Sequence, residues 1–311
     1  MESRIKGEYT DYRIDVRLLS PVGTPWHSDT IMGLLSWAVA LGEGDAGVRG
    51  FLEPFLAGSP PFLVSDGFPY GRLPNPLIPI KTAQHYRTAE EASLAKKRKM
   101  ASLLTTEDFD LVRRGERPYG EPLTSPWRQF QMLHAAIDRT TWSTSGQGNL
   151  FTTVTQALPD NHGRLSVFVR AQHGWIERVE RLFGIIAQTG FGRDKSTGCG
   201  SFELERVVTQ PRLFENFPGA NGFISISSWT PLATDPVDGY WRLKIKRGKL
   251  GEGVGSDNPF KYPLIQFTAG SVFRTGHTPA PFYGRTIRNI APGFGEAVQI
   301  CYCLAVPCAC P

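Results

Sequence analysis

The sequence predicts an α+β fold, and three observations carry that reading. Short segments alternate polar and apolar residues with the period of a half-buried strand. Two other segments carry apolar residues at helical spacing. Between them the chain is interrupted by many glycines (33) and prolines (24), so loops are frequent. The 311 residues, 41% hydrophobic and 20% charged, suffice for a sizeable core and about two domains. The formal net charge of +5 suits a nucleic-acid partner without requiring one. No apolar run is long enough to span a membrane. The first twenty residues lack the apolar middle of a signal peptide, so the expectation is a soluble, cytoplasmic protein. The five cysteines are Cys199 and a terminal group, Cys301, Cys303, Cys308 and Cys310; an odd, crowded set is not the framework of a secreted disulfide scaffold.

The first strand is read from Tyr12, Ile14, Val16 and Leu18, which alternate with Asp11, Arg13, Asp15 and Arg17. A loop with Pro21, Gly23 and Pro25 follows. Ser28 suits a helix N-cap, and Asp29 suits the positive end of the helix dipole. The helix is expected over 29–41, with Ile31, Leu34, Leu35 and Ala38 on its buried stripe and Gly42 ending it. Residues 62–80 are rich in Pro and Gly and read as short strands and turns. From Lys81 to Arg117 the composition turns charged, with Lys96, Lys97, Arg98 and Lys99 in one block. This looks like a projecting insertion with few apolar anchors, reaching about residue 145. Strands are expected at 150–157 and 165–170, a helix at 175–188, and a strand at 202–208.

That order, strand, helix, strands, helix, strand, is the βαββαβ plan of a ferredoxin-like (RRM-like) domain over 1–210, with a basic insertion about 81–145. After a linker at 211–221, strands are expected at 222–227, 240–246, 263–267 and 297–304. Helical signal is poor there, and a second, degenerate ferredoxin-like domain over 211–311 is the expectation.

The sharpest motif is the run from Gly190 through Gly192, Arg193, Lys195, Ser196, Gly198 and Cys199 to Gly200. Glycines let the backbone approach a ligand, and Arg193 and Lys195 offer positive charge to phosphate. A nucleotide-binding P-loop needs Gly directly before Lys-Ser, where this chain has Asp194. It also opens a helix, whereas this loop leaves one. A plain helix–strand connection is the remaining alternative.

These residues together resemble the RAMP superfamily of CRISPR proteins. Residues 26–33, from Trp26 and His27 to Gly33, are similar to an HSDT motif opening the first helix. Pro74 to Leu77 with the lysine-rich run, and Ile137 to Thr140 leading through Gly146 to Phe151, are similar to further stretches of the branch formed by the fourth subunit of Csm (type III-A) effector complexes. The resemblance covers the first domain and, more faintly, 283–306. It implies a non-catalytic, RNA-binding subunit in antiviral defence. Such a subunit holds the 5′ repeat-derived tag of the guide RNA (crRNA), joins the large polymerase-like subunit to the backbone RAMP subunit, and meets target RNA only indirectly. The implied RNA contacts are His27, Ser28, Arg139, Gly190, Gly192, Arg193, Lys195, Ser196, Gly198, Cys199 and Gly200.

Two other chemistries compete. Some RAMP relatives are metal-independent ribonucleases, and His27 suits a general base, but the sequence offers it no partner acid. The C-x-C pairs at 301–303 and 308–310 match structural zinc spacing imperfectly, so buried, inert thiols are expected. No metal, cofactor or membrane partner is implied. Lys96–Lys99 reads equally as a solvated face or a phosphate contact. On 240–246 the alternation puts Arg242, Lys244 and Lys246 on one face, a second candidate RNA or partner surface, and Trp241, Leu243 and Ile245 on the other.

Overall fold

A computed structural model describes residues 8–79, 88–116, 123–144, 150–159, 163–209, 211–251 and 258–310. The first strand, β1 (Tyr9–Leu18), buries Ile14, Val16 and Leu18 as the alternation requires. The first helix, α1 (Ser28–Leu56), runs well beyond Gly42. It breaks its geometry at Gly44 (φ 65°, ψ −167°) and then resumes, because Phe51 and Phe55 still have core to fill. The expected stop at Gly42 is therefore a kink two residues later. Two strands follow, β2 (Phe62–Pro69) and β3 (Arg72–Pro74). The insertion follows: α2 (Ala89–Met100), β4 (Leu103–Thr105), α3 (Thr106–Arg113) and β5 (Arg128–Ala135). Then come β6 (Leu150–Ala157), β7 (Arg164–Gln172), α4 (Trp175–Thr189) and β8 (Phe202–Thr209).

The first sheet runs β2-β7-β1-β8, antiparallel at each pairing. α1 and α4 pack against it and each other through Ile31, Leu35, Val179 and Phe183. The stretch expected to feed this sheet at 150–157 does not. β6 pairs with β5 in a separate two-stranded ribbon, from Arg128 opposite Ala157 to Ala135 opposite Leu150. Its alternation of Thr with apolar residues marks a strand but not its sheet.

The insertion is also better anchored than its charge suggested. Leu104, Phe109 and Val112 join the main core. Arg113 is fully buried: it bonds Asp110 at 2.6 Å and donates to the carbonyls of Glu215 (3.1 Å) and Pro307 (3.3 Å). The basic block lies on α2, with Lys96 and Lys97 exposed. The segment 81–87 lies outside the described residues.

The C-terminal part begins with a single turn, α5 (Pro211–Phe214), then β9 (Gly222–Ser225), β10 (Gly239–Tyr240), β11 (Leu243–Lys246), β12 (Leu264–Phe267), β13 (Val272–Arg274), β14 (Phe282–Arg288) and β15 (Val298–Cys308). A second sheet runs β10-β13-β9-β15-β14, and β11 pairs with β12 beside it. Between Gly222 and Cys310 the described residues carry strands and no helix, so the βαββαβ order expected of a second ferredoxin-like unit is not reproduced. The α+β class holds for the chain. Ile300, Tyr302, Leu304 and Val306 of β15 enter the main core, while Cys303 and Ala305 enter a smaller cluster with Phe223, Trp229 and Phe273. Tyr302 ties the parts directly, its hydroxyl donating to the Phe55 carbonyl at 2.7 Å.

Because Arg113 satisfies two carbonyls from distant segments, Arg113→Ala should cost about 3 kcal/mol. Urea unfolding checks this. A loss within measurement error would mean the insertion is held by its apolar residues alone.

Candidate RNA interface

Three features meet at one end of the first sheet: the loop between β1 and α1 (residues 19–27), the glycine-rich run (190–200) and the base of the β5–β6 ribbon. Their apposition is aromatic and backbone-driven. Phe191 is buried and stacks on Trp26, with ring centres 4.0 Å apart and planes 8° from parallel. Phe202 meets Trp26 edge-on at 4.9 Å. The Phe191 N–H donates to Gly200 (2.8 Å), and the Gly200 N–H donates to Pro21 (2.8 Å). Val22 and Gln156 exchange backbone bonds of 2.7 and 2.9 Å, fastening the ribbon to the same loop.

The glycine run leaves α4 through Gly190 and makes one 3-10 turn at Lys195–Thr197. Gly190, Gly192, Gly198 and Gly200 all have positive φ, and so does Asp194 (φ 61°). Their surroundings differ. A Cβ on Gly200 would lie 2.0 Å from the Phe191 carbonyl oxygen, and one on Gly192 would lie 2.6 Å from Thr24 Cβ. Those two glycines are required by the chain's own packing. At Gly198 a Cβ would meet nothing within 4 Å. Ser196, Thr197 and Gly198 form the exposed crest, while Cys199 and Gly200 lie buried beneath it. Burial pushes the Cys199 thiol up, and neighbouring Asp194 adds to this.

Of the two cations, Arg193 has structural work. Its Nε donates to Gly23 (2.6 Å), a terminal nitrogen donates to Val154 (2.5 Å), and its backbone N–H donates to Thr24 Oγ1 (3.1 Å). It staples the glycine run to both neighbours and keeps about half its side chain exposed. Lys195 places its ammonium 5.0 Å over the Trp37 ring. Arg139 is exposed near the tip of the β5–β6 ribbon, with Asp138 bonding Thr140 beside it. Trp142, at the same tip, is 83% exposed. The glycine run thus packs on Trp26, the residue before His27, whose own side chain turns to Asp66, while Arg139 stands farther out on the ribbon. Residues 145–149 of its turn lie outside the described residues.

The start of α1 differs from the sequence reading. His27, not Ser28, is the N-cap, and its side chain makes no capping bond. Ser28 is already helical and buried; its hydroxyl donates to the Ser228 carbonyl (3.3 Å). The capping role falls to Asp66 on β2, which sequence reasoning missed. Its Oδ1 accepts the Ser28 N–H at 2.7 Å, satisfying a free amide at the positive helix end. The same carboxylate accepts the Ser228 N–H and hydroxyl (both 3.1 Å) and lies 3.1 Å from His27 Nδ1. Burial alone would raise the Asp66 carboxyl. His27, Lys244 and the Ser28 amide more than offset this and hold it far below the usual carboxylate range. The only signal in sequence is an Asp in a strand, 39 residues from His27.

Lys244 and Lys246 are the other surprise. Lys244 Nζ donates to Ser228 Oγ at 2.7 Å. Lys246 pairs with Asp29 at 2.7 Å and donates to Thr30 at 2.6 Å. Burial lowers the Lys244 ammonium despite Asp66 and Asp29. The alternation on this strand was read correctly, but its sense is inverted. Two of the three cations face inward, and Leu243 and Ile245 are the exposed residues. Cys301, Cys303, Cys308 and Cys310 are all buried along β15 and just beyond it, and burial raises every one, Cys301 to about 12. Thiols so hard to ionise are poor nucleophiles.

No protein-family model and no curated protein matches the sequence. Solved structures do. A chain of "Csm1-Csm4 cassette in complex with pppApA" aligns with TM-score 0.60 at 19% identity, covering 96% of this chain and 98% of that one. A chain of the same cassette with AMPPNP gives 0.59 at 20% identity, over 96% and 98%. A chain of the "Csm3-Csm4 subcomplex in the type III-A CRISPR-Cas interference complex" gives 0.61 at 12% identity, over 94% and 99%. The likeness is one of fold, end to end in both chains.

Two outcomes follow from this geometry. Gly200→Ala should prevent the loop from closing on Phe191. Gly198→Ala, strained only by its backbone angle, should cost about 1–2 kcal/mol. Thermal melts of the two variants compare them, and equal losses would contradict the assigned contacts. The second concerns acid. Asp66 titrates lower in the fold than its unfolded value of about 3.9, so the stability it lends is complete above that pH and is lost as pH falls below it. Unfolding free energies between pH 6 and pH 3 should show this fall, and Asp66→Asn should flatten it.

Proposed function

We propose that the chain is a non-catalytic RNA-binding subunit of a type III-A CRISPR effector complex. In this reading it holds the 5′ repeat-derived tag of the guide RNA at the junction of the β1–α1 loop, the glycine run and the β5–β6 ribbon. It joins the large polymerase-like subunit to the backbone subunits, works in the cytoplasm, and meets target RNA only through the complex. The observation that carries the reading is the end-to-end likeness of fold to chains of the two Csm assemblies, with the glycine run in its expected place between α4 and β8. We read the first sheet as ferredoxin-like, since its order β2-β7-β1-β8 leaves β1 and β7 central, flanked by the strands that follow α1 and α4. Single-stranded RNA needs cations for phosphate and open backbone or rings for splayed bases. The exposed crest 196–198, Lys195 and the aromatic ribbon tip supply these.

One observation favours a second reading. Asp66 gives His27 the orienting acid that the sequence did not reveal, which is the arrangement of a general base. Metal-independent RNA cleavage also needs a group to protonate the leaving oxygen. Lys244, the cation acting on Asp66, is engaged from a buried position with Ser228. We therefore retain the binding role.

Purification of the tagged protein from its host should recover the large and backbone subunits together with RNAs sharing one 5′ tag. Recovery of the protein without guide RNA would overturn the proposal. Incubation of the pure chain with repeat RNA in chelator should leave the RNA intact. A cut that His27→Ala abolishes would establish the ribonuclease reading instead. Lys195→Ala should weaken RNA binding and reduce the slope of log affinity against log salt by about 0.7. An unchanged slope in filter binding would remove Lys195 from the interface.

A further inference from the structure

We infer that Asp66 is a positioning residue for His27, turning the ring so that Nε2 faces the RNA as a hydrogen-bond acceptor for a ribose 2′-hydroxyl or a base amine. The inference rests on the guide-binding reading above and deepens it. Three of the groups around Asp66 can only donate to it: the Ser28 N–H at 2.7 Å, the Ser228 N–H at 3.1 Å and the Ser228 hydroxyl at 3.1 Å, whose own oxygen already accepts Lys244. A carboxyl so surrounded is an acceptor only. The fourth contact, His27 Nδ1 to Oδ2 at 3.1 Å, must then carry its proton on Nδ1. In the neutral ring that leaves the lone pair on Nε2.

The backbone of His27 is fixed as firmly. Its N–H donates to Pro25 (2.8 Å), and its carbonyl accepts from Thr30 and Ile31 (2.9 Å each). The side chain is still 37% exposed, and it follows directly on Trp26, the residue that stacks on the glycine run. A ring held at both ends and open on one side is a preorganised contact. The tag would thus meet an acceptor beside a loop that otherwise offers cations and N–H groups. The 2′-hydroxyl is the donor that separates RNA from DNA. The charged groups packed around this pair are Asp66 on β2, Lys244 and Lys246 on β11, and Asp29 on α1.

Two measurements on the full chain test this. Nitrogen-15 imidazole NMR of the free protein, at a pH where the ring is neutral, should show His27 as the Nδ1–H tautomer. Asp66→Ala should release this preference, and Asp66→Asn should reverse it to the Nε2–H form, because the Asn oxygen must take the Oδ1 place that accepts the Ser28 and Ser228 N–H groups, leaving its NH2 to donate to Nδ1. Affinity is then measured for single-stranded tag RNA, for the same strand with single 2′-deoxy substitutions, and for one with an exocyclic amine removed. One of these changes should weaken binding by about 3- to 10-fold, as one hydrogen bond would, and it identifies which donor is read. His27→Ala and Asp66→Ala should each abolish that difference, and the double variant should lose nothing more. An Nε2–H ring in the parent, or a His27→Ala variant that still discriminates, overturns the inference while leaving guide binding intact. A parent that binds no tag RNA overturns the guide-binding reading and this inference with it. The parent tautomer and the His27→Ala affinities need no Asp66 variant, so a misfolded Asp66→Ala leaves the test decisive.

Discussion

The carboxylate of Asp66 is the constraint from which much of this molecule's arrangement follows. An ionised group in a buried site is costly unless every lone pair is used and an opposite charge is near. Asp66 meets both conditions by drawing partners from three parts of the chain: the start of α1, the 228 turn after β9, and β11 through Lys244. None of these is close to it in sequence. The first helix therefore begins where it does because its first free amide is satisfied by a strand residue rather than by a local cap. The second sheet is set against the first helix by the same oxygens. Asp29, one residue farther along α1, is also buried and is charge-paired with Lys246, without the hydrogen bonds that surround Asp66.

This inward demand for cations determines what the other side of β11 looks like. With Lys244 and Lys246 turned to Asp66 and Asp29, strand periodicity sends Leu243 and Ile245 outward, and Ile265 of β12 joins them. The burial of charge and the exposure of apolar surface are one event seen from two faces. Alternation in a sequence reveals that a strand has two faces. It does not reveal which face is interior when the polar one has buried carboxylates waiting for it.

The same distinction explains how much was legible beforehand. β1, α4 and β8 were read closely because each has a single apolar face against one core. The glycine run was placed correctly between α4 and β8, since a positive-φ cluster after a helix has few other uses. The length of α1 was underestimated because Gly42 and Gly44 look like terminators, while the force that carries the helix onward is distant packing at Phe51 and Phe55. β6 was recognised as a strand and given to the wrong sheet, because pairing partners are a non-local choice. The second sheet was least legible: β13 is three residues long, and β14 contains Gly284, so neither has a pattern long enough to stand out. Asp66 was invisible for a related reason. A polar residue in a strand carries no mark of what it accepts.

The glycine run shows why composition alone is a poor guide to a binding loop. Four glycines with positive φ suggest a backbone opened for a ligand, yet two of them are spoken for by Phe191 and Thr24. Arg193, the obvious phosphate cation, spends its guanidinium on the carbonyls of Gly23 and Val154. These internal contacts hold the ends of the run in place, and between them Ser196 to Gly198 form a short exposed crest. Binding a flexible single strand costs least when the protein side is already ordered. Most of the run is taken up by the fold itself: Gly192, Gly200 and Arg193 fix the frame, and Ser196 to Gly198 are the positions left exposed.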